Sequence, residues 1–405
     1  MTQESILAKK SVPIGRQVLL DRARSMVPLL KKRALHTETD RQVSADTVQL
    51  FRDADLFRIL QPSRFGGFEY DFGLLIEIII ELGRGCASSA WVYGLGAVHQ
   101  WLVANFPIEA QSEVWGDDTN DIVTGSYAPS AAVKTEAGGY RISGTWSFVS
   151  GVDHAKWSLV GVFIPPVLGE DRPQAAFLLV PATDYVIEDN WNTYGLCGTG
   201  SKNIVLEDVF VPAHRKLTFA EASSGRSPGA LVHHNPLYRN PFLASVPVSI
   251  AAPALGAAQG AIDDFLETIR VRTTRGAVAG AGSRMAEFGS VQSRVAEAMA
   301  CVDAAKLLLL RDCQEVLDDV SSGRGISIDM RIRNRRDHAF SVKLAVQAVD
   351  ALNSCTGGGG LFTNNIAQRA WRDANAAAKH ISLNWDAVST MVGQHAFGLE
   401  PKGQY

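Results

Sequence analysis

Cysteine is sparse in this 405-residue chain: Cys86, Cys197, Cys301, Cys313 and Cys355 form an odd set with no CxxC pair. That points away from a disulfide framework or a Cys-rich zinc site and toward a reducing, cytoplasmic compartment. Neither HExxH nor HxH occurs, so no metal site is expected. The sequence also lacks GxxxxGK, and it has no GxGxxG between a strand and a helix. A P-loop and a Rossmann nicotinamide site are therefore unsupported, and any redox chemistry must draw its electrons from elsewhere. The N-terminus has no apolar run of the secretory kind. The longest apolar stretch, Phe242 to Ile262, is interrupted by Pro247 and Pro253 and is largely alanine. A membrane span wants about 20 strongly apolar residues, so this stretch reads as a buried helix. Charge of one sign is missing too. With 39 Lys plus Arg against 42 Asp plus Glu, the net of −3 argues against nucleic acid as the main partner.

What is present is an ordinary globular composition, 46% apolar and 20% charged, in a chain long enough for two or three domains. The periodicity changes twice along it. Up to about residue 120 it is helical: Leu74, Leu75, Ile78, Ile79 and Leu82 share a helix face, with Gly83 placed to end it. Val18, Leu19, Met26, Leu29 and Leu30 mark an earlier face. From about 121 the period shortens. Residues 132–136 and 140–144 flank Ala137-Gly138-Gly139 as a hairpin, and β-rich runs follow at 157–164, 175–180 and 204–212. Strands without intervening helices suggest a small antiparallel barrel or sandwich. After about 240 long helices return. Val291, Val295, Ala298, Val302, Ala305 and Leu309 form one bundle seam, and Ala339, Val342, Val346, Val349 and Leu352 a second. The run Gly357 to Gly360 is too flexible for a helix and suits close backbone approach to a ligand. Segments 1–120, 121–220 and 221–405 are the expected domains.

Few single residues declare a chemistry. His99 sits among Trp91, Tyr93 and Trp101, and His380 precedes Trp385; each alone reads as well as a hydrogen-bonded core or surface histidine. Ser150 ends the run Ser143-Gly-Thr-Trp-Ser-Phe-Val-Ser and lacks the GxSxG spacing of a hydrolase nucleophile. Its better role is as a hydrogen-bonding hydroxyl. Gly195-Leu-Cys-Gly-Thr-Gly-Ser201 reads as a tight turn before a strand.

In order, however, five fragments carry a resemblance: Gly85 to Val92, Tyr140 to Gly151, Gly195 to Ser201 with Asp208 to Pro212, Gly357 to Leu361, and Arg372 to Asn375 with His380 and Gly393 to Leu399. Over residues 20 to 400 the chain resembles the acyl-CoA dehydrogenase fold. Within that fold it is similar to the flavin-dependent monooxygenases of two-component systems, especially those that hydroxylate phenols and indoles. The fold implied is mainly α with a central β domain: a helical domain, a small β-barrel and a C-terminal four-helix bundle. One departure separates the chain from many of the dehydrogenases, whose Arg-Asp-Ala segment is followed by a catalytic glutamate. Here no carboxylate occupies that place, and His380 stands close to it.

The resemblance implies that reduced FMN or FAD and O2 form a C4a-hydroperoxide that oxygenates an aromatic small molecule. A separate NAD(P)H-flavin reductase would supply the flavin, and a homotetramer would complete the site. Ser150 would lie near flavin N5. Trp91, Ser126, Tyr127 and Phe148 would line the isoalloxazine, and Arg272 or Arg275 would meet the phosphate. Gly358 and Gly359 would let the backbone approach the cofactor. His99, Ser126 and Trp101 would contact substrate, with His99 orienting or deprotonating a ring hydroxyl or NH, a task suited to a base with pKa near neutrality. His380 would orient or protonate the peroxide. Three alternatives stay open: an acyl-CoA dehydrogenase with a relocated base, a monooxygenase acting on sulfur or nitrogen, and an idle family member that only binds.

Overall fold

The computed structural model describes residues 14–166, 172–274 and 282–405. The N-terminal part is helical: α1 (Arg16–Thr39), α2 (Ala45–Asp53), α3 (Phe72–Gly85), α4 (Ala87–Val103) and α5 (Ile108–Trp115). Asp71 caps α3 by accepting the Leu74 amide hydrogen at 2.8 Å, which satisfies a donor the first helical turn leaves unpaired. The helix then runs through Gly83 rather than stopping there. Gly83 lies flat against Gly256, and a Cβ on either would sit within 3 Å of the other's Cα. The glycine therefore serves close helix packing, a role that its position in the sequence does not distinguish from a helix stop.

The middle part holds β1 (Val123–Ser126), β2 (Ala131–Glu136), β3 (Gly139–Val149), β4 (Trp157–Ile164), β5 (Gln174–Pro181), β6 (Val186–Glu188), β7 (Lys202–Pro212) and β8 (Lys216–Thr218). They form two four-stranded sheets, ordered β1-β4-β5-β8 and β2-β3-β7-β6. The β2–β3 hairpin forms as its turn chemistry predicts. β1, β6 and β8 are too short to leave a pattern in the sequence. β1 also corrects the all-antiparallel expectation, since it pairs with β4 in parallel.

Alternation explains the layering. Along β4 and β5, Val160, Val162, Leu178 and Val180 face the second sheet around Trp146. Leu159, Phe177 and Leu179 point the other way and join the helical core. The first sheet is thus covered on both faces. The Trp146 indole donates to the Gly161 carbonyl at 2.8 Å and ties the two sheets together.

The chain then returns to helices: α6 (Phe219–Ser224), α7 (Phe242–Ser245), α8 (Val248–Ile269), α9 (Gly289–Ser321), α10 (Ile328–Asn353), α11 (Ile366–Ala377) and α12 (Trp385–Ala396). Helices α8 to α11 form the four-helix bundle, and α8 also packs on α3 and α4. The apolar stretch from Phe242 is accordingly the central core helix, with Ala251, Ala252, Ala254, Ala258 and Ala261 all buried. In both seams the central valine, Val295 or Val346, is half-buried and the remaining members are buried. The glycine run corrects a further expectation. Gly357 to Leu361, expected to be too flexible for a helix, forms a 3-10 turn ahead of α11.

The α3–α8 contact is directly testable. An exposed helical glycine changed to alanine gains about 1 kcal/mol from propensity, whereas overpacking a tight contact costs about 1–3 kcal/mol. Gly256→Ala is therefore expected to lower stability by roughly 1–3 kcal/mol in urea unfolding; a stabilised variant would contradict the packing described here.

Candidate active site

Three separate elements meet at Ser150. A register shift between Trp146 and Val149 bends the end of β3, and Phe148 adopts a left-handed φ of 64°. These turn Ser150 into the gap between the sheets and α4. Its carbonyl accepts the Thr124 hydroxyl hydrogen at 2.6 Å, and the following Gly151 amide donates to Thr199 at 2.9 Å. From α4, the Trp91 indole donates to Ser150 Oγ at 3.1 Å. Ser150 Oγ lies 2.7 Å from Ser201 Oγ, which in turn is 2.6 Å from Thr199 Oγ1. Thr199 donates to the Leu196 carbonyl at 2.9 Å. All of these side chains are buried.

The turn from Gly195 to Ser201 approaches its neighbours closely. A Cβ on Gly195 would sit 2.3 Å from the Arg372 carbonyl, and one on Gly198 would strike Thr37 at the same distance. Asp373 on α11 accepts the Leu196 amide hydrogen at 2.7 Å, and burial pushes its carboxyl up to about 6. Arg372 bridges Glu38 at 2.5 Å and the Tyr194 carbonyl at 2.7 Å. Helix α11 thus anchors the turn on one side while leading to His380 on the other. The His380 ring lies 6.0 Å from Trp91, centroid to centroid. The Ser382 amide donates to His380 Nδ1 at 3.1 Å, so the neutral ring carries its hydrogen on Nε2. Burial, and then the Arg335 charge, lower its pKa to about 4.

His99 lies further along α4. Eight residues at 1.5 Å each put it about 12 Å from Trp91 along the helix axis. Strand β1 lies alongside, with Thr124 bonded to Ser150 while Val123 before it and Tyr127 beyond the strand's end are both beside His99. His99 Nδ1 donates to the Val123 carbonyl at 2.8 Å. Its Nε2, 2.7 Å from the Tyr127 oxygen, therefore accepts the phenol hydrogen. Burial lowers the His99 pKa to about 4 and raises that of Tyr127. The expectation of a near-neutral free base at His99 is corrected, because the ring is neutral and both its nitrogens are engaged. Tyr127 packs edge-on against Phe177 and Phe242, and Phe219 stacks on Phe177 at 4.4 Å.

The other sequence candidates divide. Ser126 shares the β1 face of Thr124, two residues away, and is half-buried. Phe148 is 70% exposed and sits at the rim against Trp191. Trp101 is corrected to a core residue, fully buried, with its indole hydrogen given to the Leu237 carbonyl at 2.9 Å and its ring against Phe72. Arg272 donates to the Thr356 carbonyl at 2.8 Å and lies against Gly357 and Gly359, with Gly358 beside them. This group stands before α11, whereas His380 follows it, and the 12-residue helix between them is about 18 Å long. The phosphate candidates therefore form a second group, apart from Ser150 in the same chain. Arg275 lies outside the described residues. Sequence reasoning missed Thr124, Thr199, Ser201 and Asp373 as site residues. The last three fall inside motifs already noted, while nothing in the pattern marks Thr124.

Residues 248–385 match the family model described as "Acyl-CoA dehydrogenase, C-terminal domain". The chain is 48% identical, over 96% of both proteins, to the FADH(2)-dependent resorcinol hydroxylase oxygenase component of a Rhizobium species. The chain belongs to the flavin-dependent monooxygenases. Crystal structures agree. The 3-HSA hydroxylase of a Rhodococcus species superposes on this monooxygenase with a TM-score of 0.89 at 34% identity, covering 95% of this chain and 98% of that one. XiaF from a Streptomyces species, solved with FADH2, gives 0.87 at 27% identity, covering 96% and 97%. The dehydrogenase alternative is not favoured: these relatives are oxygenases, and His380 rather than a carboxylate follows α11. The buried hydroxyl of Ser150 beside an indole and a neutral imidazole fits the polar edge and flat face of a flavin ring.

The neutral state of His99 carries a stability consequence. Its folded pKa near 4 lies below the ordinary value of 6.5, so the unfolded chain binds the extra proton first. Its stabilising contribution is complete above pH 6.5 and is lost as pH falls toward 4. Wild type is expected to lose up to about 3 kcal/mol more than His99→Asn between pH 7 and 4.5. Urea melts at the two pH values check this, and parallel losses would contradict it.

Proposed function

We propose that this monooxygenase hydroxylates a small phenolic ring of the resorcinol class, using reduced FAD or FMN delivered by a separate NAD(P)H-dependent flavin reductase. The observation that carries this reading is the arrangement along α4. The Trp91–Ser150–His380 group lies at one end, and the His99–Tyr127 pair lies about 12 Å away among aromatic rings. The 48% identity to a resorcinol hydroxylase supports the same substrate class. Bound reduced flavin supplies the two electrons that activate O2, so that one oxygen atom enters the substrate ring and the other leaves as water.

Each side chain has a role that its hydrogen bonds permit. Ser150 Oγ meets the flavin ring at N5. His380 offers Nε2–H as a neutral donor toward the reacting oxygen, and with a pKa near 4 it orients rather than delivers a proton from an imidazolium. Tyr127 gives its hydrogen to His99 and keeps lone pairs to accept the substrate hydroxyl hydrogen. His99 acts through Tyr127, and Ser126 stands as a second polar contact for substrate or ring. Phe177, Phe219 and Phe242 keep that end dry, which guards a reactive oxygen species against water.

We assign Arg272, with Gly358 and Gly359, to the flavin phosphate of a neighbouring copy, since guanidinium forks suit phosphate oxygens. Leu361 and Phe362, exposed directly beside the glycine run, support a second chain packing there. A homotetramer in the cytoplasm is part of the same proposal: a site completed by a neighbouring copy needs an oligomer, and five free cysteines suit that compartment.

The test supplies the enzyme with reduced FAD, resorcinol and isotopically labelled O2. The expected product is a trihydroxybenzene carrying one labelled oxygen in mass spectra; an unlabelled product, or none from a panel of phenols, would overturn the reading. His380→Ala is expected to raise hydrogen peroxide released per product several-fold, whereas unchanged coupling would remove that residue from the mechanism.

A further inference from the structure

The hydroxyl chain through Ser150 has a direction, and its fixed end shows which way it runs. The Leu196 carbonyl can only accept, and it receives the Thr199 hydroxyl at 2.9 Å, the Thr199 amide at 3.1 Å and the Trp191 indole at 3.2 Å. Leu196 is itself held in a left-handed conformation, φ 50°, with its amide bonded to Asp373. The Thr199 hydrogen is therefore committed to Leu196. At 2.6 Å from Thr199, Ser201 must then donate to it. At 2.7 Å from Ser201, Ser150 must donate in its turn. At the far end the Trp91 indole, which has no acceptor, fills one lone pair of Ser150 Oγ. Every hydrogen runs from Trp91 toward Leu196. What Ser150 retains for a ligand is one lone pair and no hydrogen.

We propose that Thr199 and Ser201 are positioning residues that hold Ser150 as an obligatory acceptor and so select the reduced over the oxidised flavin ring. This rests on the placement of Ser150 at N5 given above. The dihydro ring carries a hydrogen on N5 and donates there, which completes Ser150. The oxidised ring presents a bare N5 lone pair. Two acceptors then face one another, unless Ser150 withdraws its hydrogen from Ser201 and leaves a buried pair of oxygens 2.7 Å apart with none between them. Unpaired buried polar groups are costly. The oxidised product is thus disfavoured where it is made, and the reduced form is favoured where it must be captured. The flavin delivered by diffusion and the flavin to be released differ in that one hydrogen.

The experiment measures dissociation constants of oxidised FAD and, without oxygen, of dithionite-reduced FAD, by fluorescence or calorimetry, for intact wild type and four variants. Ser201→Ala frees the Ser150 hydrogen outright. Thr199→Val frees the Ser201 hydrogen, so the chain can reverse and Ser150 can donate to a ligand. In both, the ratio of oxidised to reduced dissociation constants is expected to fall about tenfold, mainly through tighter oxidised FAD. Thr199→Ser keeps the hydroxyl and is expected to keep the wild-type ratio, which a general loss of packing would not do. If both variants retain the wild-type ratio while Ser150→Ala shifts it, the directional chain is overturned and the placement of Ser150 stands. If Ser150→Ala leaves the ratio unmoved as well, that placement and the proposal fall together.

Discussion

The hydrogen bond from the Trp91 indole to Ser150 joins two halves of the molecule that otherwise have separate reasons to fold. On one side, α4 is buried along almost its whole length between α3, α8 and β1. On the other, the β3 bulge and the glycine turn hold Ser150 and Ser201. A contact of this kind is worth about 1 kcal/mol in net stability, too little to assemble the domains. Its importance is geometric. Placing a donor, three hydroxyls and an acceptor at successive distances of 3.1, 2.7, 2.6 and 2.9 Å requires both halves to be settled first. The bulk packing of α8 and the doubly covered first sheet supply that rigidity.

Much of the architecture was legible because it rests on periodicity. The bundle seams of α9 and α10, the β2–β3 hairpin and the long runs of β4 and β7 each follow one pattern over many residues. Short elements were not, because β1, β6 and β8 contain only three or four residues apiece. The glycines were half legible. That Gly83 and Gly195 matter could be suspected from residue type, but the reason lies in Gly256 and the Arg372 carbonyl, which are remote in sequence. The site shows the same division. Ser150, Trp91 and His380 came from ordered motifs and do converge. Trp101 neighbours His99 in sequence, yet two residues are about half a helical turn, so one ring faces β1 and the other Phe72 and Leu237. Thr199 and Ser201 lay inside a motif read as a turn, and their second role depends on hydrogen-bond direction, which no residue pattern encodes.

Buried ionisable groups are set in opposite senses across the bundle. His99, His338 and His380 are pushed toward the neutral form by burial, to about 4, 3 and 4. Asp373 and Asp312 are raised by burial to about 6 and 7, Asp312 also by the neighbouring Asp337. Arg311 reaches both Asp312 and Asp337 from the half-exposed side of α9. Burial thus works toward the neutral form in both kinds of group, and it acts on the imidazoles of His99 and His380 on either side of the Trp91 indole.

Because Trp91 and His99 ride on one continuous helix, the interval between the two ends of the catalytic space acts as a built-in ruler. Its length is set by backbone hydrogen bonds and not by the side chains that line either end. The rings around Tyr127 can consequently be reshaped, larger or smaller, without disturbing the register of the indole and the serine. With flavin at the serine and substrate at the tyrosine, as proposed, such a scaffold would let substrate preference drift while the redox half stayed constant, and diversification would need substitutions at one end only.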